Sequence, residues 1–158
     1  MGRMYSAAIS VAAHTAQVDY FELSAASGKP LLLHGVELGQ TTEIGDAQEE
    51  MLSLVLKRIT GSPTSGSGGG APTFQPLTPN DTAAGATLET GNTTKLTGGT
   101  SVELARFSWN VRSPLLYLPP PEGRITLDAS TRLVLEELTT PNDSITGPVG
   151  WVLIEELV

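Results

Sequence analysis

TGSPTSGSGGGAPTFQPLTPNDTAAGATLETGNTTKLTGGT, residues 60–100, follows neither the period of a helix nor that of a strand. Its two flanks do follow one. Before it, Met51–Ile59 places Leu52, Leu54 and Leu56 on one side and Ser53, Val55 and Lys57 on the other. After it, Val102, Leu104, Arg106 and Ser108 alternate with Glu103, Ala105, Phe107 and Trp109. Two strands are thus joined by a connection far beyond the roughly 12–15 residues usual in a compact domain. A flexible linker is monotonous, whereas this one carries Phe74, Leu77, Leu88 and Leu96 at intervals. The stretch reads as a long, irregular Gly/Pro/Thr-rich excursion, ordered over a β-domain. Its Gly/Ser composition makes Ser62–Gly70 the loose part.

Working outward, strand patterns recur between turn signals. Tyr5–His14 alternates and reads as a first strand rather than a signal peptide, its apolar run being short and broken by Ser6, Ser10 and His14. Tyr20–Ser24, Leu31–Leu38, Leu115–Leu118, Ile125–Leu127, Arg132–Leu138 and Gly150–Leu157 follow. Ser27-Gly28-Lys29-Pro30, Pro119-Pro120-Pro121 and Thr140-Pro141-Asn142-Asp143 punctuate them. Thr41–Glu50 reads as a loop with one helical turn. Roughly eight to ten short strands without a long helix predict an all-β, antiparallel sandwich of jelly-roll type, one domain over residues 1–158. A seven-stranded immunoglobulin-like sandwich is the alternative, but it lacks the Cys…Trp…Cys spacing.

Composition removes several function classes. The chain has 158 residues, net charge −8 and no cysteine. Its basic residues are scattered, with Lys57-Arg58 the sole adjacent pair, so neither nucleic acid nor an anionic membrane is an expected partner. No stretch approaches the roughly 20 apolar residues of a membrane span. Without cysteine there is no disulfide, thiolate zinc site or thiol catalysis.

Apparent chemistry dissolves on inspection. Ser65-Gly66-Ser67-Gly68-Gly69-Gly70 lacks the lysine and following helix of a phosphate loop, and Gly66-Ser67-Gly68 lacks the strand–turn–helix of a nucleophile elbow. His14 and His34 have no metal-ligand spacing and read as strand-end or half-buried residues. Glu49-Glu50, Glu136-Glu137 and Glu155-Glu156 read as solvated strand edges. Asn80-Asp81-Thr82, Asn92-Thr93-Thr94 and Asn142-Asp143-Ser144 match the glycosylation pattern but are explained by turn chemistry. No catalytic residue, cofactor or metal ligand is assigned, and the expectation is a protein that is not an enzyme.

One resemblance covers nearly the whole chain. Leu33-His34-Gly35-Val36-Glu37-Leu38-Gly39-Gln40, Leu56-Lys57-Arg58, Gly66-Ser67-Gly68-Gly69 before Pro72, and Pro76-Leu77 come first. Ala84-Gly85-Ala86, Asn92-Thr93-Thr94, Phe107-Ser108-Trp109-Asn110-Val111-Arg112 and Pro119–Arg124 continue the order. Leu133–Leu135 and Trp151–Leu157 complete it. In this order they resemble a family of small virion proteins encoded by tailed bacteriophages. The resemblance implies a β-sandwich that decorates or cements the capsid surface and has the major capsid protein as partner. It implies assembly in the bacterial host cytoplasm and brings no catalytic residues. A tail- or fibre-associated sandwich that binds a receptor or carbohydrate is the alternative, with Trp109, Trp151, Tyr5, Tyr20 and Tyr117 available for stacking. Analogy with jelly-roll capsid proteins adds a homotrimer. Its candidate subunit contacts are Phe74, Leu77 and Leu88, an apolar stripe that a monomer would expose.

Overall fold

The computed structural model describes residues 2–41 and 50–157. The loop and helical turn expected at Thr41–Glu50 fall almost wholly outside the described residues. Within them lie eleven strands: β1 (Arg3–Ser10), β2 (Asp19–Ser24), β3 (Leu31–Gly39), β4 (Met51–Thr60), β5 (Gln75–Pro76) and β6 (Thr87–Asn92). They continue with β7 (Thr100–Asn110), β8 (Leu115–Tyr117), β9 (Ile125–Leu127), β10 (Arg132–Glu137) and β11 (Val149–Glu156). A single 3-10 turn, Pro121–Gly123, is the sole helical element among the described residues.

The strands form two antiparallel sheets. One runs β5-β1-β11-β3-β8, with β9 also paired to β3; the other runs β6-β2-β10-β4-β7. The pairing is nested: β1 with β11, β2 with β10, β3 with β8 and β9, and β4 with β7. First joins last and the middle strands join each other, which is the winding of a jelly roll. The expected all-β sandwich is therefore what the chain forms.

Alternation explains which side chains meet between the sheets. Leu52, Leu54 and Leu56 of β4 face Phe21, Leu23, Leu133 and Leu135 of the same sheet's inner surface and Tyr5, Leu33, Leu38, Val152 and Ile154 opposite; all are buried in one cluster. Leu54 and Leu56 pair with Phe107 and Ala105 of β7. A bulge follows between Leu56 and Lys57, so that Glu103 and Arg106 share the outer face and their side chains pair at 2.8–2.9 Å. Without that extra residue an i,i+3 pair on a strand would straddle the sheet.

The excursion departs from the sequence reading in two ways. It contains strands: β5 joins β1 at the edge of the six-stranded sheet, and β6 joins β2 at the edge of the five-stranded one. Nor is Ser62–Gly70 loose. It runs antiparallel to residues 90–97, with bridges Thr64–Thr97, Ser67–Thr94 and Gly70–Thr90. Its glycines serve close approach rather than flexibility. A Cβ on Gly69 would lie 2.0 Å from the Thr90 carbonyl oxygen. Because β6 and β7 occupy opposite edges of their sheet, both 61–70 and 93–99 cross the outer face between them as a two-ply strap.

Candidate functional site

The strap lies over the outer face of the five-stranded sheet, where Val55, Ile59 and Val134 form a buried apolar patch separate from the main core. Around it carboxylates take up the strap's polar groups. Glu22 of β2 accepts Ser65 Oγ at 2.6 Å and the Gly66 amide at 3.0 Å, with Arg132 Nε 3.5 Å away. Asp19 accepts the Leu96 amide at 2.9 Å. Lys95 donates to Gln17 Oε1, Glu136 Oε1 and the Glu137 carbonyl at 2.9–3.1 Å, and Lys57 also pairs with Glu136. At the far end of the excursion, buried Glu156 accepts the Gly85 and Ala86 amides at 2.5 and 2.7 Å. A loop has amides with no strand partner, and buried carboxylates supply the acceptors they require.

This corrects the reading of the acid pairs as solvated edges. Glu137 and Glu156 are fully buried, and Glu50 is buried with the Asn142 amide on its carboxylate; Glu49 lies outside the described residues. Neighbours on a strand point to opposite faces, so one member of the pair on β10 and one of the pair on β11 turn inward.

The electrostatics follow from these partners. Burial and the adjacent Glu136 raise the Asp19 pKa to about 6 against the pull of the Leu96 amide. Burial works the same way on Glu136, but Lys57 and Lys95 outweigh it and hold its carboxyl below the usual range. A second buried chain links Tyr20 and His14 through Glu137. Tyr20 donates to Glu137 Oε1 at 3.1 Å, and His14 Nε2 stands 3.3 Å from Oε2, an ion-pair contact rather than an aligned hydrogen bond. Burial opposes a charged His14, yet Glu137 and the Ala12 carbonyl raise its pKa overall. Burial and the same carboxylate push the Tyr20 phenol up. His34 pairs with Glu155 at 2.9 Å on the other sheet.

A cleft of about 350 Å³ opens between residues 10–14 and Gly68–Gly70, with His14 and Ser10 in its wall. His14 Nδ1 lies 3.3 Å from the Ala12 carbonyl oxygen, and Nε2 faces Glu137 at 3.3 Å without forming a hydrogen bond. Among the described residues, no three His, Cys, Asp or Glu side chains gather as a metal site, and no helix is long and apolar enough to cross a membrane.

The candidate subunit contacts separate. Phe74 and Leu88 are 3% and 2% exposed and belong to the chain's own core, because the excursion folds back onto the sandwich that carries it. That corrects their assignment as an exposed stripe. Only Leu77, at 55%, presents its side chain to solvent. The stacking candidates divide too: Tyr5, Tyr20 and Trp109 are core, whereas Trp151 and Tyr117 are half-buried.

The outer face of the six-stranded sheet shows the opposite condition, which the pattern of Leu115–Leu118 did not reveal. Glu37 pairs with Leu116 on one side and Trp151 on the other, placing all three on that face. Leu116 and Leu118 are each 55% exposed. Trp151 donates its indole N–H to Glu37 at 2.5 Å. Gly35 leaves room beneath; a Cβ there would come within 2.4 Å of Leu118 and 3.3 Å of the Trp151 ring. Comparisons with protein-family models, curated proteins and solved structures find no match to this chain.

Proposed function

We propose that the protein is a non-enzymatic structural component of a tailed-phage virion, a decoration or cement protein seated on the capsid surface. The observation that carries this reading is the uncovered apolar band of Leu116 and Leu118 beside Trp151. One sheet's outer face is closed by the chain's own strap, and the other offers large apolar side chains on an antiparallel surface. Leu116 and Leu118 lie together beside Trp151 on one sheet face, whereas Met51, Leu77, Val102 and Leu104 are exposed elsewhere, and a clustered apolar band suits a protein partner. A repeating lattice of major capsid protein multiplies modest contacts into firm attachment. Copies of the chain assemble as a homotrimer in this proposal, with Leu77 rather than Phe74 or Leu88 at the contact. The receptor- or carbohydrate-binding alternative is weakened, because Trp109, Tyr5 and Tyr20 lie in the core.

Binding of the purified protein to phage heads that lack it tests the proposal. The Leu116→Asp, Leu118→Asp double variant is expected to remain folded by circular dichroism and to lose binding. Binding equal to that of the unaltered chain overturns the assignment of this face. Failure of the unaltered chain to bind any head preparation overturns the virion role.

A further inference from the structure

The strap differs from every strand beneath it in how it is held. Of residues 61–70 only Gly66 is buried, and of 93–99 none is. The two plies hold each other through the Thr64–Thr97, Ser67–Thr94 and Gly70–Thr90 bridges. Their hold on the sheet is polar: Glu22 on Ser65 and Gly66, Asp19 on Leu96, and Glu136 with Gln17 on Lys95. At the root, where the plies join β4 and β7, Gly61, Ser62, Gly98 and Gly99 all have positive φ, between 58° and 83°. That backbone is a pair of facing hinges in the left-handed region.

We propose that residues 61–70 and 93–99 form a strap that latches and unlatches as one unit over the outer face of the five-stranded sheet, with Asp19 and Glu136 as its latch. Segments with few buried apolar contacts open below the free energy of global unfolding, in contiguous units. The mutual bridges and shared hinge make these two plies one such unit. The sandwich core stays closed, because Val55, Ile59 and Val134 are distinct from it.

The latch also makes closure sensitive to protons. Asp19 and Glu136 stand opposite each other on neighbouring strands and share a face. Facing Asp19 are Glu136 from β10, Lys57 from β4 and Lys95 from the strap, while β6 presents Asn92 opposite it. Arg132 on β10 and Glu22 on β2 pair with each other. Both lysines bond Glu136, leaving Asp19 the Leu96 amide as its hydrogen-bond donor. Closing the strap thus removes water from two carboxylates while their cations serve one of them, which favours a proton on the other. The closed strap holds that proton to about pH 6, and opening returns water to the carboxylate and lowers its pKa toward the ordinary range, so closure strengthens as pH falls toward and below 6. The two lysines hold the Glu136 carboxyl below the usual carboxylate range, so of the pair it is Asp19 that takes the proton first.

Hydrogen exchange of individual amides, corrected for intrinsic rates, tests the device on the whole chain. The Gly66 and Leu96 amides are expected to share one protection factor, well below that of Leu54 and Leu135 in the core. That factor should rise as pH falls from about 8 to about 5, by up to about tenfold. Asp19→Asn keeps an acceptor for Leu96 and should flatten the pH dependence, with core amides in the same spectra reporting whether the variant is folded. Strap amides exchanging only with global unfolding overturn the inference, as does independent opening of Gly66 and Leu96. A pH-independent factor in the unaltered chain overturns the latch, whatever becomes of the variant.

Discussion

The two outer faces of this sandwich are built from similar strands and end in opposite states. On the five-stranded sheet, Val55, Ile59 and Val134 are buried because the connection between β4 and β7, which could have been a short hairpin, crosses the sheet instead. On the six-stranded sheet, Leu116 and Leu118 stand in solvent beside Trp151. The difference shows that covering a sheet face depends on acceptors as much as on apolar contact. A crossing loop brings amides and charges that need partners: Glu22 and Asp19 receive the Gly66 and Leu96 amides, and Glu136 receives the Lys95 ammonium. The six-stranded face has no crossing chain among the described residues, and its charged groups pair locally as Glu37 with Trp151 and His34 with Glu155.

The largest effect that sharpens this contrast belongs to Phe74. Because it is core, Phe74→Ala should cost about 3–5 kcal/mol in chemical denaturation of the isolated chain. A loss near zero with dissociation of an oligomer would return Phe74 to a subunit interface. Next comes Gly69→Ala, whose new Cβ meets the Thr90 carbonyl at 2.0 Å. It should cost about 1–3 kcal/mol and open residues 61–70 to limited proteolysis, because the plies must separate. A fully tolerated alanine would show that the tight ply-to-ply approach is not required.

Much of this architecture was legible in residues, and the illegible parts share a cause. Met51–Ile59 announces its strand because each of its faces has a use: leucines for the main core, Val55 and Ile59 for the patch under the strap. Thr87–Asn92 carries only Leu88 as a large apolar residue, so β6 is a strand by virtue of β2 beside it rather than by its own pattern. Gly66–Gly70 looks like a flexible tip, since composition cannot distinguish glycine that frees a chain from glycine that lets two backbones touch. The acid pairs were half legible. Alternation alone requires Glu137 or Glu136 to face inward, but which one, and onto which amides, depends on loops distant in sequence. The exposed band was hidden because Leu115–Leu118 reads as ordinary core strand until its partners are known.

A smaller effect is set by pH. Asp19 and His14 both have pKa values raised by folding, so each contributes stability that is present at acid pH and lost as pH rises through its folded value. Glu136 is shifted down, so its contribution is lost as pH falls below the usual carboxylate range. Thermal unfolding should therefore show greatest stability between about pH 4.5 and 6, exceeding that near pH 8 by roughly 1–2 kcal/mol. Asp19→Asn should remove much of that difference. A stability maximum above about pH 7 would contradict the assignment of the strap's carboxylates.

The smallest effect on the free protein is expected at the bare face. Leu116→Lys, on an exposed side chain opposite Glu37, should change stability by no more than about 0.5 kcal/mol. That near-silence makes it useful, because any loss of binding then belongs to the surface rather than to the fold.

Hydroxyl-radical footprinting of the free and head-bound protein tests the central contrast most directly. On binding, Leu116, Leu118 and Trp151 should lose reactivity together, while Val102 and Leu104 at the free edge of β7 and the residues of the strap should not change. Protection of the strap with Leu116 and Leu118 still reactive would contradict the account, showing that the covered face is the one that docks.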